Sequence, residues 1–149
     1  MTNEVLKARL TDEEGSRLVA YLDTKGILTV GVGHNCKAKP VVGVIRVGDQ
    51  ITREVEQQLL SEDVADAVKQ LDVWLPWWRD LDDARQNVLA DMCFNMGILT
   101  LCKFVNALAA MKAGDYFSAA QGMRASKWAK QVGRRAKRLA DNMEMGVFE

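Results

Sequence analysis

Apolar and polar positions alternate between residues 27 and 34, which is the pattern of a β-strand. One face of this predicted strand carries Leu28, Val30, Val32 and His34. The opposite face carries Thr29, Gly31 and Gly33. Asp23-Thr-Lys-Gly26 has the composition of a hairpin turn and joins the strand to the run from Leu18 to Leu22. The pattern therefore predicts a small β-sheet near the N-terminus, a β-hairpin or a three-stranded sheet.

From Thr52 onward, hydrophobic residues recur with the 3.6-residue spacing of an α-helix. Thr52 is a suitable N-cap and Glu54 lies in the first turn, so we expect one helix of about twenty residues. Shorter helices are expected after Pro76. We expect helices to start at Asp82–Asp83, at Asp115 and at Ser126. A further helix is expected from Leu101 to Ala113, and it should stop at Gly114.

These elements predict an α+β fold in one domain spanning residues 1–149. The expected parts are an N-terminal α+β lobe (1–51), a connecting helix (52–73) and an all-helical lobe (74–149). Two lobes joined by one helix imply a groove between them, and concave binding sites form at such junctions.

The charge of the chain is unevenly distributed, although its 20 Lys and Arg balance its 20 Asp and Glu. Residues 1–100 hold 11 cations and 16 acids, whereas residues 101–149 hold 9 cations and 4 acids. Residues 124–138 carry seven cations and no acid. Such a run has three possible interpretations. It forms a solvated helix face, it binds a polyanionic polymer or an internal carboxylate, or it binds nucleic acid. The zero net charge and the absence of a binding motif argue against nucleic acid as a partner.

The three cysteines, Cys36, Cys93 and Cys102, form no C-x-x-C pair, so we expect reduced thiols in a chain made in the cytoplasm. Acidic residues among the first 14 positions argue against a secretory signal. No apolar run approaches the roughly 18 residues that a membrane span requires, so no membrane insertion is expected.

Glu14, Asp23 and Thr29 are the strongest candidates for chemistry because of their positions. We expect a first helix before the sheet, and Glu14 lies where this helix meets Gly15. Asp23 lies in the hairpin turn, and Thr29 lies on the glycine face of the strand. A face of this kind leaves a hydroxyl and the backbone open to a ligand that approaches closely. Two carboxylates near one open surface suit glycoside hydrolysis, which needs a proton donor and an ionised group.

Structural roles for the same residues remain open. Residues 11–14 fit a capping box, in which Glu14 would only bond a helix N-terminus. Asp23 is also a common turn residue, and spacing does not choose among Asp12, Glu13 and Glu14 as the acid.

His34, the only histidine, shares a face with apolar residues, so a packed core position is favoured over a metal site with Cys36. The W-L-P-W-W run at residues 74–78 and Trp128 favour core packing over stacking on sugars.

Residues 14–34 read E-G-S-R-L-V-A-Y-L-D-T-K-G-I-L-T-V-G-V-G-H. This string resembles the active-site segment of the phage-type lysozymes, the endolysin muramidases of glycoside hydrolase family 24, whose pattern is E-G-x-R-L-x-x-Y-x-D-x-x-G-x-x-T-[IV]-G-x-G-H. Each fixed position is matched. The similarity continues through I-T-R-E-V-E (51–56), F-N-M-G (94–97), S-K-W (126–128) and R-A-K-R (135–138), so it covers the whole chain.

The resemblance implies a two-lobed lysozyme fold and a muramidase in which Glu14 is the general acid. Asp23 and the Thr29 hydroxyl would place the hydrolytic water, giving inversion, and inverting pairs have carboxyl groups roughly 6.5–9.5 Å apart. His34 and Asp63 would form a structural ion pair. The substrate is implied to be the β-1,4 bond between N-acetylmuramic acid and N-acetylglucosamine in bacterial peptidoglycan.

The resemblance also implies substrate contacts, which fall on Asn35, Phe94, Asn95 and Arg135. Arg135 would meet Glu14. Ala107 and Gly122 depart from the best-known member, because they are small where polar side chains are expected.

No cofactor and no metal are implied, and we expect a monomer that reaches the cell wall through a separate membrane-permeabilising protein. A lytic transglycosylase and an inactive peptidoglycan-binding or phage structural module are the alternative functions.

Overall fold

The computed structural model describes residue 1 and residues 3–149. In this part of the chain the strands, all in one antiparallel sheet of order β1-β2-β3, are β1 (Arg17–Leu22), β2 (Leu28–Gly31) and β3 (His34–Asn35). The helices are α1 (Asn3–Glu14), α2 (Arg53–Trp74), α3 (Asp83–Met96), α4 (Ile98–Leu101), α5 (Val105–Ala113), α6 (Tyr116–Arg124), α7 (Lys127–Val132) and α8 (Arg134–Met145), with a 3-10 helix at Pro76–Asp80. The predicted α+β fold class is confirmed. Among the described residues, none of the helices is both long and apolar enough to span a membrane.

The backbone groups into two compact units. The smaller unit is Lys7–Ala65 and contains the sheet. The larger unit is helical and comprises Met1–Leu6 with Asp66–Glu149. The sequence predicts residues 52–73 as a connecting helix that is separate from both lobes. The boundary between the two compact units instead falls inside α2, after Ala65. The predicted lobe ranges therefore stay a prediction.

The hairpin of the smaller unit forms where its turn chemistry predicts. Strands β1 and β2 are antiparallel with Tyr21 opposite Thr29, and the N–H of Gly26 donates to the carbonyl of Asp23. The sheet packs on a small apolar core whose buried members are Ala20, Val30, Cys36 and Val44.

The continuous strand expected over residues 27–34 is wrong. Strand β2 ends at Gly31, whose φ is +66°, and the chain turns back so that His34 pairs with Val30. A backbone with positive φ leaves the extended region, and glycine accepts this conformation without the steric cost of a Cβ. The glycines that alternation assigns to one face of a strand therefore end the strand instead.

The expectation that Thr29 lies on an open face is also wrong. Thr29 is 4% exposed and Gly31 is buried. A Cβ built on Gly31 would lie 3.4 Å from Cγ of Glu56 and 3.7 Å from Cδ1 of Ile51. Side chains at and before the start of α2 therefore cover the glycine end of this face.

Helix α2 confirms the predicted long helix and its cap. The Thr52 side-chain oxygen accepts the N–H of Val55 at 3.2 Å, which satisfies one of the unpaired donors of the first turn. The helix has 22 residues.

In the larger unit, the predicted starts at Asp82, Asp115 and Ser126 are confirmed as N-caps whose side chains accept the N–H three residues ahead. Gly114 ends α5 with a left-handed backbone, as expected. The single helix from Leu101 to Ala113 is wrong, because the chain breaks between α4 and α5 at residues 102–104. The apolar residues continue through this break, so hydrophobic spacing alone does not show it.

The small residues Ala107 and Gly122 belong to a helix contact. Ala107 is buried, and a Cβ on Gly122 would lie 3.3 Å from Cβ of Ala107. Small side chains at this contact let α5 and α6 approach closely, which gives a packing reason for their size.

Two of the four tryptophans lie in the core, as expected. Trp78 is fully buried and its indole N–H donates to Asp72 at 2.7 Å, and Trp128 is also buried. Trp74, by contrast, is exposed.

Candidate active site

Glu14 is the last residue of α1, so its carboxylate lies at the C-terminal end of a helix. The capping-box alternative is wrong. Thr11 lies inside the same helix and its hydroxyl donates to the carbonyl of Lys7 at 2.8 Å, instead of capping an N-terminus. The N–H of Gly15 donates to the carbonyl of Thr11 at 2.9 Å and closes the helix.

The Glu14 carboxyl group lies directly against Gly33. A Cβ built on Gly33 would lie 2.8 Å from Oε2 of Glu14, 3.1 Å from Cδ and 3.2 Å from Cγ. Gly33 also has a φ of +63°. Both its backbone and its missing side chain are therefore required for the carboxyl group to occupy this place. This contact links the end of α1 to the turn between β2 and β3.

Tyr21 lies within the electrostatic reach of both candidate carboxylates. Burial raises the pKa of its phenol, the cation of Arg17 opposes this increase, and the negative charges of Glu14 and Asp23 add to it. The guanidinium of Arg17 stacks over the Tyr21 ring at 4.0 Å from its centroid. Tyr21 is a fixed position of the motif in residues 14–34, but the motif alone implies no role for it. Its pairing with Thr29 across the hairpin was the available signal.

Asp23 is held by its own turn. Its Oδ1 accepts the N–H groups of Lys25 and Ile27, each at 2.8 Å. The structural alternative for Asp23 is therefore confirmed. It does not compete with a chemical role, because two backbone donors fix the orientation of the carboxylate.

Thr29 lies in the middle of a row across the sheet, opposite Tyr21 on one side and Asn35 on the other. Directly paired residues of neighbouring antiparallel strands project from the same face. The Thr29 hydroxyl donates to the carbonyl of Ile27 at 2.8 Å. Oδ1 of Asn35 accepts the N–H groups of Lys37 and Ala38 at 2.9 Å, so this side chain orders the following loop.

His34 is 3% exposed, which confirms its predicted inward direction. Its Nδ1 lies 2.7 Å from Oδ2 of Asp63, and its Nε2 lies 2.9 Å from the carbonyl oxygen of Lys39. Both partners are acceptors, so the ring satisfies both contacts only when it carries two protons.

The pKa of His34 reflects this environment. Burial lowers it, but the hydrogen bonds to Asp63 and to the carbonyl of Lys39 outweigh burial, and the net pKa is raised. Within residues 1 and 3–149, no group of three His, Cys, Asp or Glu side chains is arranged to hold a metal ion.

In the larger unit, the predicted substrate residues Phe94 and Asn95 lie near the end of α3 and are partly buried. Oδ1 of Asn95 accepts the indole N–H of Trp128 at 2.8 Å. Trp128 in turn packs edge-on against Phe104, with ring centroids 6.0 Å apart. Two aromatic rings therefore support the amide of Asn95.

Arg135 forms a buried ion pair that the sequence analysis missed. Its Nε and Nη2 donate to Oδ1 of Asp91 at 3.1 and 2.9 Å, and the two side chains are 8% and 0% exposed. The available signal was one acid within the otherwise apolar stretch of residues 88–93 in α3. The expected meeting of Arg135 with Glu14 stays a prediction.

Several cations of the run at residues 124–138 form ion pairs with carboxylates of the same protein. Arg124 pairs with Asp141 and Glu144, each at 2.8 Å, and Lys137 pairs with Asp141 at 2.9 Å. Together with the pair at Arg135, these contacts confirm the internal-carboxylate alternative for three of the cations. The exposed cations of the run include Lys127, Lys130 and Arg134.

Comparison with known proteins places these observations in a family. The model of the family described as phage lysozyme matches residues 11–143. A probable T4-type lysozyme of Dictyostelium discoideum is 26% identical over 163 aligned residues, covering 97% of this chain and 96% of the relative. The endolysin of Salmonella phage P22 is 40% identical over 92 residues, covering 60% of this chain and 58% of the relative.

A third relative is much longer. The pre-baseplate central spike protein Gp5 of Enterobacteria phage T4 is 30% identical over 165 aligned residues. The match includes 99% of this chain, and the chain spans 29% of the spike protein's length.

Proposed function

Because the chain belongs to the phage lysozyme family, we propose that it cleaves the β-1,4 bond between N-acetylmuramic acid and N-acetylglucosamine in peptidoglycan. Membership makes it a lysozyme-type peptidoglycan hydrolase, a glycosidase. The specific bond and the residues that cleave it are our proposal. The observation that carries the proposal is the Glu14 carboxyl group at the end of α1, packed against Gly33 at a place that a Cβ on this residue would overlap.

Glu14 acts as the general acid. Cleavage of a glycosidic bond needs a carboxyl group that protonates the leaving oxygen. The carboxyl group of Glu14 has a defined position, because it packs against the turn between β2 and β3 at a place that only a glycine leaves free. Glu14 is partly buried, and it contacts the same segment that contains Thr29 and His34. These features favour Glu14 over Asp12, which is exposed, and over Glu13, which lies 3.5 Å from Arg9.

Asp23 and Thr29 place the hydrolytic water. Two backbone N–H donors fix the orientation of the Asp23 carboxylate, and a base needs a fixed orientation toward the water from which it takes a proton. The Thr29 hydroxyl donates its proton to the carbonyl of Ile27, so its oxygen is able to accept a hydrogen bond from the same water. Attack by this water opposite to the leaving oxygen inverts the configuration at the anomeric carbon.

Asn35, Phe94, Asn95 and Arg135 bind the glycan. The amide of Asn95 is held by the indole of Trp128, so it is presented in one orientation to a sugar hydroxyl or acetamido group. The buried carboxylate of Asp91 fixes the guanidinium of Arg135 in the same way. His34 and Asp63 have a structural role, because their contact ties the sheet to α2 inside the smaller unit.

The cellular role we propose is lysis of bacterial cells by a monomer without a cofactor. The chain is made in the host cytoplasm, which suits its three free thiols. It acts on the wall from the periplasmic side after a separate protein permeabilises the membrane. Neither nucleic acid nor stable insertion into a membrane is part of this role.

A structural role in a phage particle is the second candidate, and the relative Gp5 is the observation that favours it. In that case this chain would be the lysozyme-like unit of a spike assembly. Peptidoglycan binding without product formation by the purified chain would favour this second role.

Product analysis tests the proposed reaction. Purified peptidoglycan is digested, and the fragments are separated and weighed by mass spectrometry. Hydrolysis adds one water and leaves reducing N-acetylmuramic acid ends, whereas a lytic transglycosylase leaves anhydro ends that lack this water. Anhydro products would overturn the proposed hydrolysis.

The configuration of the fresh product tests the roles of Asp23 and Thr29. NMR of the anomeric proton, recorded before mutarotation is complete, should show the α-anomer from the β-linked substrate. A first-formed β-anomer would contradict a single displacement by water.

A further inference from the structure

Glu56 is a buried carboxylate that the proposed reaction does not use. It lies in the first turn of α2 and is 1% exposed. Buried carboxylates are rare unless they are paired, because charge loses the stabilisation of water. Arg53 donates to Oε1 of Glu56 at 3.1 Å, and Ser16 donates to Oε2 at 2.6 Å. The carboxylate is therefore paired on one side by a cation and on the other by the chain that follows Glu14.

The contact with Ser16 anchors the segment just after Glu14. Ser16 lies two residues beyond it, in the connection between α1 and β1. A hydroxyl bound to a carboxylate at 2.6 Å is a short, charge-assisted hydrogen bond. Nη1 of Arg53 also donates to the Ser16 oxygen at 3.2 Å, so this hydroxyl is held by both members of the ion pair.

A second contact of Glu56 lies on the other side of Glu14. Cγ and Cα of Glu56 are 3.4 and 3.9 Å from the place of a Cβ on Gly31. Gly31 lies two residues before Gly33, the glycine against which the Glu14 carboxyl packs. Glu56 therefore supports both the peptide that carries Glu14 and the turn that receives its carboxyl group.

We propose that Glu56, through Ser16, is a positioning residue that keeps the Glu14 carboxyl group seated on Gly33. A glutamate at the end of a helix has three rotatable side-chain bonds, and its backbone is free to fray. The hydrogen bond to Ser16 and the packing of Glu56 close to Gly31 restrict this freedom on both sides. The proposal rests on the proposed role of Glu14 as the acid, and it assigns to Glu56 no contact with the substrate.

The variant Ser16→Ala removes the contact with the least disturbance, because Ser16 is exposed and the pair of Glu56 with Arg53 remains. We expect kcat to fall about tenfold, since small misplacements of a reacting group cost at least this much. KM should stay within about twofold, because the lost contact acts on the transition state and not on ground-state binding. Ser16→Thr keeps the hydroxyl and should restore kcat.

Glu56→Gln in parallel tests the buried partner, and Glu54→Gln is its matched control. Glu54 is an exposed carboxylate in the same helix turn, so its replacement should leave kcat and KM unchanged. The double variant Ser16→Ala with Glu56→Gln should be no slower than the slower single variant, because both changes break one contact. Circular dichroism at the assay temperature gives the folded fraction by which each kcat is divided.

Wild-type kcat in Ser16→Ala, a rise in KM that accounts for the whole loss, or failure of Ser16→Thr to restore kcat would each overturn the positioning role. These results differ from failure of the proposed function. Loss of activity in Glu14→Gln together with a normal Ser16→Ala variant removes only the role of Glu56. Full activity in a folded Glu14→Gln variant removes the general acid itself.

Discussion

The candidate carboxylates of the smaller unit and one ion pair of the larger unit place charge in different ways. In the smaller unit, Lys7–Ala65, Glu14 and Asp23 lie at a helix end and in a turn, and Asp23 is bound by backbone N–H groups. In the larger unit, the pair of Arg135 with Asp91 lies between two helices and is almost fully buried. The first arrangement leaves carboxylates at the edges of elements, whereas the second places charge inside the packing.

The difference in burial predicts different consequences when a charge is removed. A charge in a turn keeps much of its contact with water, so its removal changes chemistry more than stability. A buried charge without its partner is destabilising, because the remaining partner is neither solvated nor neutralised. We therefore expect variants of Glu14 and Asp23 to lose activity first and variants of the pair of Arg135 with Asp91 to lose stability first.

Asp91→Ala should cause the largest loss of stability. It leaves the guanidinium of Arg135 buried without this partner, and breaking such a pair costs about 3–5 kcal/mol. Urea unfolding followed by circular dichroism measures the loss. The control is Asp83→Ala, an exposed acid of the same helix whose loss should cost within about 1 kcal/mol. Equal losses in the two variants would contradict the distinction between buried and exposed charge.

Gly33→Ala should lower activity more than stability. The new methyl group would overlap Oε2 of Glu14, and the flexible carboxyl would move away from its place. We expect kcat to fall about ten- to a hundredfold, with about 1–2 kcal/mol of backbone strain from the left-handed φ. Gly43→Ala has the same kind of strain at φ +84° but meets nothing within 4 Å, so it should keep kcat.

Comparison of the two variants therefore separates the effect of backbone strain from the effect of overlap with the Glu14 carboxyl group. If Gly43→Ala lost as much kcat as Gly33→Ala, backbone strain and not displacement of Glu14 would explain the effect.

How far the sequence predicts this arrangement depends on the kind of signal. The cap at Thr52 and the turn at Asp23 are local, and both form as expected, because their hydrogen bonds join residues close in the chain. The end of β2 at Gly31 is not visible in an alternating pattern, since alternation does not report φ. Glu14 is placed at a helix end by its neighbours, but its contact with Gly33 depends on tertiary packing.

Partners of buried charges are the least predictable feature. Asp91 and Arg135 are 44 residues apart, and Glu56 and Ser16 are 40 residues apart. Only the fold decides which of the many acids meets which donor. The motif that spans residues 14–34 identified the candidate carboxylates, whereas the side chains that support them appear in the structure alone.

The pair of His34 with Asp63 makes the stability of the smaller unit depend on pH. The pKa of His34 is raised in the folded protein, so the folded state binds the proton more tightly than the unfolded chain. This contribution is fully present below about pH 6.5, the ordinary value for histidine, and is lost as pH rises through the higher folded value. Asp63→Asn should flatten this dependence.

NMR titration measures this pKa directly, because His34 is the only histidine and gives one set of ring signals. A folded pKa above 6.5 is expected. A value at or below 6.5 would contradict the doubly protonated ring that the two acceptor contacts require.

The rate at which the cysteine thiols react measures how readily each unit opens locally. The difference expected between the two units is the smallest of the predicted effects. Burial raises the pKa of Cys36 in the smaller unit, and burial together with Cys102 raises that of Cys93 in the larger unit to about 12. Cys102 is partly exposed and should react first with a thiol reagent at pH 8. In a Cys102→Ser background, Cys36 should react before Cys93, because the core around the sheet is small. The reverse order would show that the helical unit opens more readily.

The assignment of the acid is tested by peptidoglycan hydrolysis with Glu14→Gln and Asp12→Asn beside the wild-type protein. Both replacements remove one carboxylate from the last turn of α1, and circular dichroism verifies that both variants are folded. We predict that Glu14→Gln loses activity by about a hundredfold or more, the usual contribution of a general acid, while Asp12→Asn keeps it. Hydrolysis at the wild-type rate by folded Glu14→Gln would show that Glu14 does not protonate the leaving oxygen.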